Sequence, residues 1–212
     1  MDKKLKIGLH IHSWLSDDTS WNKEQFIDLY KKVGFDASML GVKLAKEKVQ
    51  SPVFCGSINE MSFQDSQFDV VVCHDVLTQR DVKIEKVILD FKRILKNKGI
   101  LIMNGAAFHA FISLQNPSVH IARRFSKKDL DRLFLKDQWI MRKKFYWNTA
   151  LILPILFTRW LKKLGLLKMS DVEMTNPVID KVLYAVLSLE RMIFKKLSFM
   201  PGLSLYCVAQ KK

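Results

Sequence analysis

The sequence predicts an α/β protein whose core is a doubly wound, mostly parallel β-sheet. Phe68 to Cys73 is a continuous run rich in β-branched side chains, which is typical of a parallel strand covered on both faces. From Lys83 to Leu95 apolar residues recur with a helical period, and Lys98-Gly99 ends this helix before a strand at Ile100 to Met103. Strand, helix and strand in this order form a βαβ unit, so we expect ligands at the carboxyl ends of the strands.

Four elements precede this unit. In chain order they are a strand, a helix, a second helix and a short extended segment: Lys4 to Ile11, Trp21 to Lys32, Gly41 to Gln50 and Val53 to Gly56. The first helix takes its cap from Asp18, Thr19 or Ser20. Gly34 is expected to stop that helix, because glycine readily adopts the left-handed conformation found just past helix ends.

Three elements follow the unit: a capped helix, a strand and a last strand, at Ser126 to Leu135, Trp139 to Tyr146 and Leu203 to Ala209. The segment between the last two strands is longer than the sheet alone requires. We therefore expect one sheet domain, formed by residues 1–147 and 203–212, and an α-helical insertion at residues 148–202 before the last strand.

Charge and cysteine content narrow the classes of function. The 212 residues carry a formal net charge of +14 spread over many Lys-Lys and Lys-Arg pairs, which favours polyanions such as nucleic acid or anionic lipid. Cys55, Cys73 and Cys207 stand far apart in apolar contexts, which predicts buried, reduced thiols of a cytosolic protein and no metal site. Residues 1–15 lack the apolar region of a signal peptide, and Ala150 to Phe157 is too short to span a membrane.

Several motifs, in one order, resemble class I S-adenosylmethionine-dependent methyltransferases of the small-molecule, type 11 kind. They extend from Gly34 to Phe145 and include the last strand; the clearest are Gly34 to Ser38, Gly56 to Phe63, Gln64 to Val72, Asp75 to Leu77, Phe91 to Ile102 and His120 to Ser126. The resemblance implies a Rossmann-like sheet and S-adenosylmethionine as the cofactor.

The resemblance also implies cofactor-binding residues. The family's second strand ends in a carboxylate that binds the ribose hydroxyls, and Asp36 matches it. A competing alignment, with the preceding glycine as helix stop, places Asp36 before a shortened strand. Ser57 stands where the family has an acidic side chain beside adenine, and Ile58 would pack on the ring and donate from its backbone. Cys73 and His74 end the family's fourth strand, where cofactor and acceptor meet.

One segment departs from the family. The family's first strand opens into a Gly-x-Gly loop whose backbone N–H groups approach the amino acid part of the cofactor. Here the corresponding segment, His12 to Ser20, contains no glycine. Trp14 and Leu15 would crowd the site, although three polar residues could hold the cofactor's ammonium group: Asp17, Asp18 and Ser20.

The expected chemistry needs few catalytic groups. Methyl transfer from a sulfonium depends mainly on orientation, and a general base is required only for acidic acceptors such as hydroxyls. The candidate bases near predicted strand ends are His74, His109 and His120, although a structural or surface role is favoured for the last two. Arg123 and Arg124 would bind an anionic acceptor group or solvate the start of a helix, and we favour the latter.

The composition of the insertion indicates which classes of acceptor this protein could bind. It combines apolar stripes with basic residues, which fits a membrane-surface contact, a lid over an oily substrate, or two helices packed on the sheet. We expect a cytoplasmic methyltransferase for a small or lipid-linked acceptor, and for the insertion we favour two packed helices over a peripheral contact with an anionic membrane. The alternative is a catalytically degenerate binding or regulatory protein. Nucleic acid is disfavoured, because the sequence lacks a basic stripe interleaved with aromatic residues.

Overall fold

The computed structural model describes residues 33–107, 122–165, 177–194 and 201–212. Some of the predicted features lie outside these residues: the strand Lys4 to Ile11, the segment His12 to Ser20, the helix Trp21 to Lys32, and the candidate bases His109 and His120.

The described residues alternate between strands and helices. In chain order the elements are β1 (Gly34–Asp36), α1 (Met39–Lys48), β2 (Val53–Cys55), β3 (Phe68–His74), α2 (Ile84–Ile94), β4 (Leu95–Ala106), α3 (Lys127–Leu133), β5 (Trp139–Trp147), α4 (Ile152–Lys163), α5 (Pro177–Phe194) and β6 (Ser204–Lys211).

The described strands form two sheets. β1 and β2 pair in parallel, and the larger sheet has the order β3-β4-β6-β5. β3 and β4 are parallel, whereas β6 is antiparallel to both β4 and β5. Among the four strands that the structure describes in the larger sheet, β6 alone runs in the opposite direction. The predicted α/β class with a mostly parallel sheet is therefore confirmed.

The start of β1 differs from the sequence prediction. Gly34 does not stop a helix, because it is the first residue of β1, and Asp36 is the last. Gly34 pairs with Val53 on β2, where an added Cβ would come within 3.2 Å of the valine side chain. Asp36 therefore stands at the carboxyl end of a strand, and the competing alignment, in which it precedes the strand, is wrong.

The connection from α2 to β4 is shorter than expected. α2 ends at Ile94 and β4 begins at the next residue, before the predicted stop at Lys98-Gly99. Strand pairing with β3 shifts register before Ile100, and Lys98 in this irregular stretch has a φ of +61°. Gly99 is required there, because an added Cβ would lie 2.8 Å from the carbonyl oxygen of Lys96. The strand predicted at Ile100 to Met103 is thus the middle part of β4.

α2 covers one face of the larger sheet. Its buried residues recur at helical spacing and join the main core: Val87, Ile88, Phe91 and Ile94. Fully burying such a side chain stabilises the fold by about 1.5–3 kcal/mol. On β3, Val71 and Cys73 are fully buried, whereas Val70 and Val72 are half-buried. The cover of β3 is therefore complete on one face and partial on the other, not complete on both as predicted.

Two adjacent arginines before α3 bind backbone carbonyls. Arg123 donates from Nη1 to the carbonyl oxygens of Gln79 and Val82, each at 2.8 Å, and from Nη2 to that of Arg80 at 2.9 Å. Arg124 is buried and donates to the carbonyl oxygen of Ala107 at 3.0 Å. The interpretation that these arginines solvate the start of a helix is therefore wrong. Arg123 instead fixes the loop that follows β3.

Glu190 connects the two helices that lie between β5 and β6. Its side chain is buried on α5 and accepts hydrogen bonds from the backbone N–H groups of Thr149 at 2.7 Å and Ala150 at 3.2 Å. These groups lie in the turn that precedes α4. The carboxylate thus fixes this turn against α5. Within the described residues, no helix combines the length and apolar character needed to cross a membrane.

Candidate functional site

A row of four side chains crosses the larger sheet at one end. His74 is in register with Asn104, Asn104 with Tyr206, and Tyr206 with Phe145. Residues directly opposite each other in a sheet point to the same face. The row also lies where β3 ends and β6 begins. It therefore forms a continuous wall at the edge where ligands bind in open α/β sheets.

The aromatic members of the row contact each other. Tyr206 stacks on Phe145 with ring centroids 5.3 Å apart, and His74 meets Tyr206 edge-on at 6.2 Å. Trp147 meets Phe145 edge-on at 6.4 Å. Burial raises the pKa of the Tyr206 hydroxyl to about 12, and the charge of Asp75 adds to the rise. Tyr206 is therefore a neutral hydrogen-bonding group at physiological pH.

The turn after β3 is fixed by buried polar groups. Asp75 has a φ of +55°, a conformation that non-glycine residues rarely adopt. The buried Asn104 side chain accepts a hydrogen bond from the Asp75 backbone N–H at 3.0 Å. Thr78, also buried, donates to the Asp75 carbonyl oxygen at 2.6 Å. Since surrounding contacts hold this strained turn, the carboxylate of Asp75 and the ring of His74 have defined positions.

Asp36 occupies the corresponding place on the smaller sheet. Its Oδ1 accepts a hydrogen bond from the Ser38 backbone N–H at 2.7 Å, and Ser38 caps α1 by accepting from the Gly41 N–H at 3.1 Å. Oδ2 has no hydrogen-bond partner among the described residues and lies at the half-exposed end of β1. A carboxylate with one oxygen still available fits the predicted recognition of ribose hydroxyls.

The segment from Gly56 to Ile58 lies beside Asp36. The Gly56 N–H donates to the Asp36 carbonyl oxygen at 2.9 Å, and an added Cβ on Gly56 would lie 2.7 Å from the Phe35 ring. The Ser57 hydroxyl accepts from the Asn59 N–H at 3.2 Å. The side chain of Ile58 is buried in the main core. The segment is therefore held against β1 by backbone contacts, within reach of one ligand together with Asp36.

The Asn59 side chain connects this segment to the loop after β3. Its amide nitrogen donates to the Asp81 carbonyl oxygen at 2.8 Å, and its carbonyl oxygen accepts from the Lys83 N–H at 2.8 Å. One side chain thus joins the loops that follow β2 and β3. The predicted adenine side and the strand end at His74 are therefore parts of one connected edge.

The two predicted residues at the end of β3 have different environments. Cys73 is fully buried, and burial raises the pKa of its thiol to about 12. Its side chain therefore points into the core, and only its backbone can face a ligand. His74 lies on the opposite, half-exposed face, where Asp75 Oδ2 is 3.3 Å from its Nδ1. Of the predicted candidate bases, His74 is the one that the described residues place at the site.

The other two cysteines differ in burial. Cys207 is buried, with its thiol pKa raised by burial to about 12. Cys55 is exposed at the end of β2, contrary to the prediction of buried cysteines, and its thiol lies 3.7 Å from the Ala37 carbonyl oxygen. No group of three or more potential metal ligands occurs within the described residues.

Sequence reasoning missed three members of the row: Asn104, Tyr206 and Phe145. Each lies on a strand whose neighbours are distant in the chain, so pairing alone brings them to His74. The polar Asn104 in the apolar run of β4 was a detectable signal, because a buried amide requires hydrogen-bond partners.

Part of the chain matches a known protein family. Residues 18–103 match the family described as a methyltransferase domain. No curated protein matches the sequence.

Solved structures share the fold at low sequence identity. An S-adenosylmethionine-dependent methyltransferase from Methanosarcina mazei superimposes with a TM-score of 0.56 at 14% identity, covering 100% of this chain and 94% of that one. Geranyl diphosphate methyltransferase in complex with S-adenosylmethionine gives 0.60 at 9% identity, with coverage of 98% and 77%. The [4+2]-cyclase SpnF gives 0.56 at 12% identity, with coverage of 99% and 75%. At such identities the likeness establishes the fold and not the reaction.

Proposed function

We propose that this chain transfers a methyl group from S-adenosylmethionine to a small or lipid-linked acceptor. The match of residues 18–103 to a methyltransferase domain and the fold shared with a solved S-adenosylmethionine-dependent methyltransferase support this proposal. The cofactor would lie at the carboxyl ends of β1, β2 and β3. The observation that carries this proposal is Asp36, a half-exposed carboxylate at the end of β1 with one oxygen that has no hydrogen-bond partner within the described residues.

The residues at this edge fit the parts of the cofactor. The Asp36 carboxylate would accept hydrogen bonds from the ribose hydroxyls, and such charge-assisted bonds are the stronger kind. Ser57 and the backbone of Ile58 would lie along the adenine. S-adenosylmethionine supplies, when bound, a methyl group on an already activated sulfonium.

The wall at the end of β3 would bind the acceptor. Tyr206 and Phe145 present stacked rings, against which an apolar or planar acceptor would pack. Asp75 beside Nδ1 favours a proton on that nitrogen of His74, which leaves Nε2 to take a proton from a hydroxyl acceptor. His74 is therefore the general base that we propose for an acidic acceptor, and Tyr206 is a positioning residue.

Calorimetric titration with S-adenosylmethionine and S-adenosylhomocysteine tests the cofactor proposal. We expect Asp36→Ala to weaken binding at least tenfold, as the loss of charged hydrogen bonds predicts. Asp36→Asn is the matched variant, because its amide oxygen still accepts from the Ser38 N–H and so preserves the start of α1. It should bind more weakly than wild type while unfolding at a similar temperature.

Two outcomes would contradict the proposal. If the folded wild-type protein produces no heat at millimolar cofactor, this chain does not bind S-adenosylmethionine, and a non-catalytic binding protein is the better description. If Asp36→Asn and Asp36→Ala both bind like wild type, the ribose contact lies elsewhere.

A separate assay determines whether the acceptor is a lipid-linked or a small molecule. The protein is incubated with S-adenosylmethionine carrying a tritiated methyl group and with either a total lipid extract or the aqueous metabolite fraction. Label that moves into the organic phase supports a lipid-linked acceptor, and label on a new aqueous product supports a small one. Label transferred in neither fraction would count against methyl transfer.

A further inference from the structure

A stripe of large apolar side chains is exposed on α4. Leu153, Phe157, Trp160 and Leu164 follow each other at spacings of four, three and four residues, so they lie on one side of the helical path. Their exposed fractions are 76%, 58%, 56% and 53%. Phe157 and Trp160 stack with ring centroids 6.1 Å apart. We call these four residues the α4 stripe.

The α4 stripe is distinct from the side of the helix that faces the protein. Ile152, Ile155 and Leu156 are half-buried, whereas the stripe residues are exposed. Adjacent exposed apolar residues of this size usually mark an interaction site, because they would otherwise favour aggregation. Core packing, one of the three roles expected for the insertion, therefore does not explain the stripe.

The composition of the segment that carries the stripe favours a lipid surface. Residues 148–202 contain eight Lys or Arg but four Asp or Glu, and one of these acids, Glu190, is buried and hydrogen-bonded to the backbone. The whole chain carries a net charge of +14. On α5, Lys181 and Tyr184 are exposed, as is Leu189. Aromatic and apolar residues combined with an excess of cations are typical of helices that lie on anionic membranes.

We propose that the α4 stripe docks on the surface of an anionic membrane, with α4 lying in the plane of the interface. The helix has 12 residues and is therefore about 18 Å long, which is short of the ~30 Å hydrocarbon core. It begins five residues after Trp147, at the end of the strand that carries Phe145. Docking through α4 would thus hold the aromatic wall beside the bilayer, next to lipid-embedded molecules.

Sedimentation with vesicles tests this proposal without any cofactor, so its outcome is independent of methyl transfer. The protein is mixed with vesicles of phosphatidylcholine alone or of phosphatidylcholine with about one third phosphatidylglycerol. We expect binding to the anionic vesicles, and weaker binding in high salt. The double variant Phe157→Ser with Trp160→Ser should lower the partition constant at least tenfold, because two large apolar side chains no longer enter the interface.

The matched control is Leu89→Ser on α2. Leu89 is 59% exposed, as much as the stripe aromatics, and lies on a different helix. It should bind vesicles like wild type. The proposal fails if wild type stays in the supernatant, or if the stripe variant binds as well as the control. It also fails if light scattering shows a wild-type dimer that the stripe variant loses, since a second copy would then occupy the stripe.

Discussion

Arg93 is the residue whose loss should most affect the loop that leads into β3. Its guanidinium donates to the carbonyl oxygens of Phe63 at 2.6 Å and Met61 at 2.8 Å, and it also binds Asp90 and Asp65, each at 2.9 Å. These contacts join α2 to the loop. Phe63 in this loop lies edge-on to Phe35 and Phe68, at 5.5 and 5.2 Å, so the loop also closes the core between the two sheets.

The loss of stability expected on replacing Arg93 follows from its individual hydrogen bonds. A hydrogen bond from a charged donor is worth about 1.5–3 kcal/mol when buried, and the two bonds to carbonyl oxygens are discounted because the Arg93 side chain is 33% exposed. The pair with Asp65, which is 76% exposed, contributes little. Arg93→Met keeps the apolar stem and removes every donor. We expect it to lower the free energy of unfolding by about 2–3 kcal/mol, or the thermal midpoint by about 4–12 °C.

Thermal and urea unfolding followed by circular dichroism measure this loss. Arg132→Met is the control, because Arg132 is 82% exposed and lies 4.0 Å from Asp129, so its removal should change stability by less than about 0.5 kcal/mol. Equal stability of Arg93→Met and wild type would refute the role of Arg93 in holding the loop.

Three further predictions concern buried groups. Iodoacetamide at pH 8 should alkylate Cys55 in the native protein and reach Cys73 and Cys207 only after unfolding; modification of all three thiols under native conditions would contradict their burial. Burial raises both thiol pKa values from 9.0 to about 12, so between these pH values the folded state retains protons that the unfolded state loses. The contribution of the two thiols to the free energy of unfolding is therefore fully present below pH 9 and is lost as the pH rises towards 12. A thermal midpoint that stays constant over that range would oppose this. Glu190→Gln replaces one acceptor with a donor facing a backbone N–H and should destabilise the protein by about 1–3 kcal/mol in urea unfolding, whereas unchanged stability would show that the contact between Glu190 and the turn before α4 is dispensable.

The strands and helices with strong local patterns were predictable from sequence. The β-branched run of β3 and the helical period of α2 reflect burial of one face or stripe, which the order of residues encodes directly. Ser126 likewise predicts the start of α3, because Ser126 and Asp129 form a reciprocal capping box. Asp36 and His74 were chosen as candidate site residues from the resemblance to the methyltransferase family, and the structure places each of them at the end of a strand.

The remaining features depend on contacts between distant parts of the chain. Tyr206 reaches His74 only through the pairing of β6 with β4, which no local pattern specifies. Arg123 and Arg93 look like solvated cations in the sequence, yet each donates to carbonyl oxygens far away in the chain. Burial of polar groups follows from tertiary packing, so these roles required the structure.

The central claim is that Asp36 holds the ribose of S-adenosylmethionine at the end of β1. Crystals grown with S-adenosylhomocysteine test it most directly, since the electron density would show where the ligand lies. We predict density along the ends of β1, β2 and β3, with both ribose hydroxyls within hydrogen-bond distance of the Asp36 carboxylate. Density for the ligand elsewhere, or an empty edge at millimolar ligand in the folded protein, would contradict the claim.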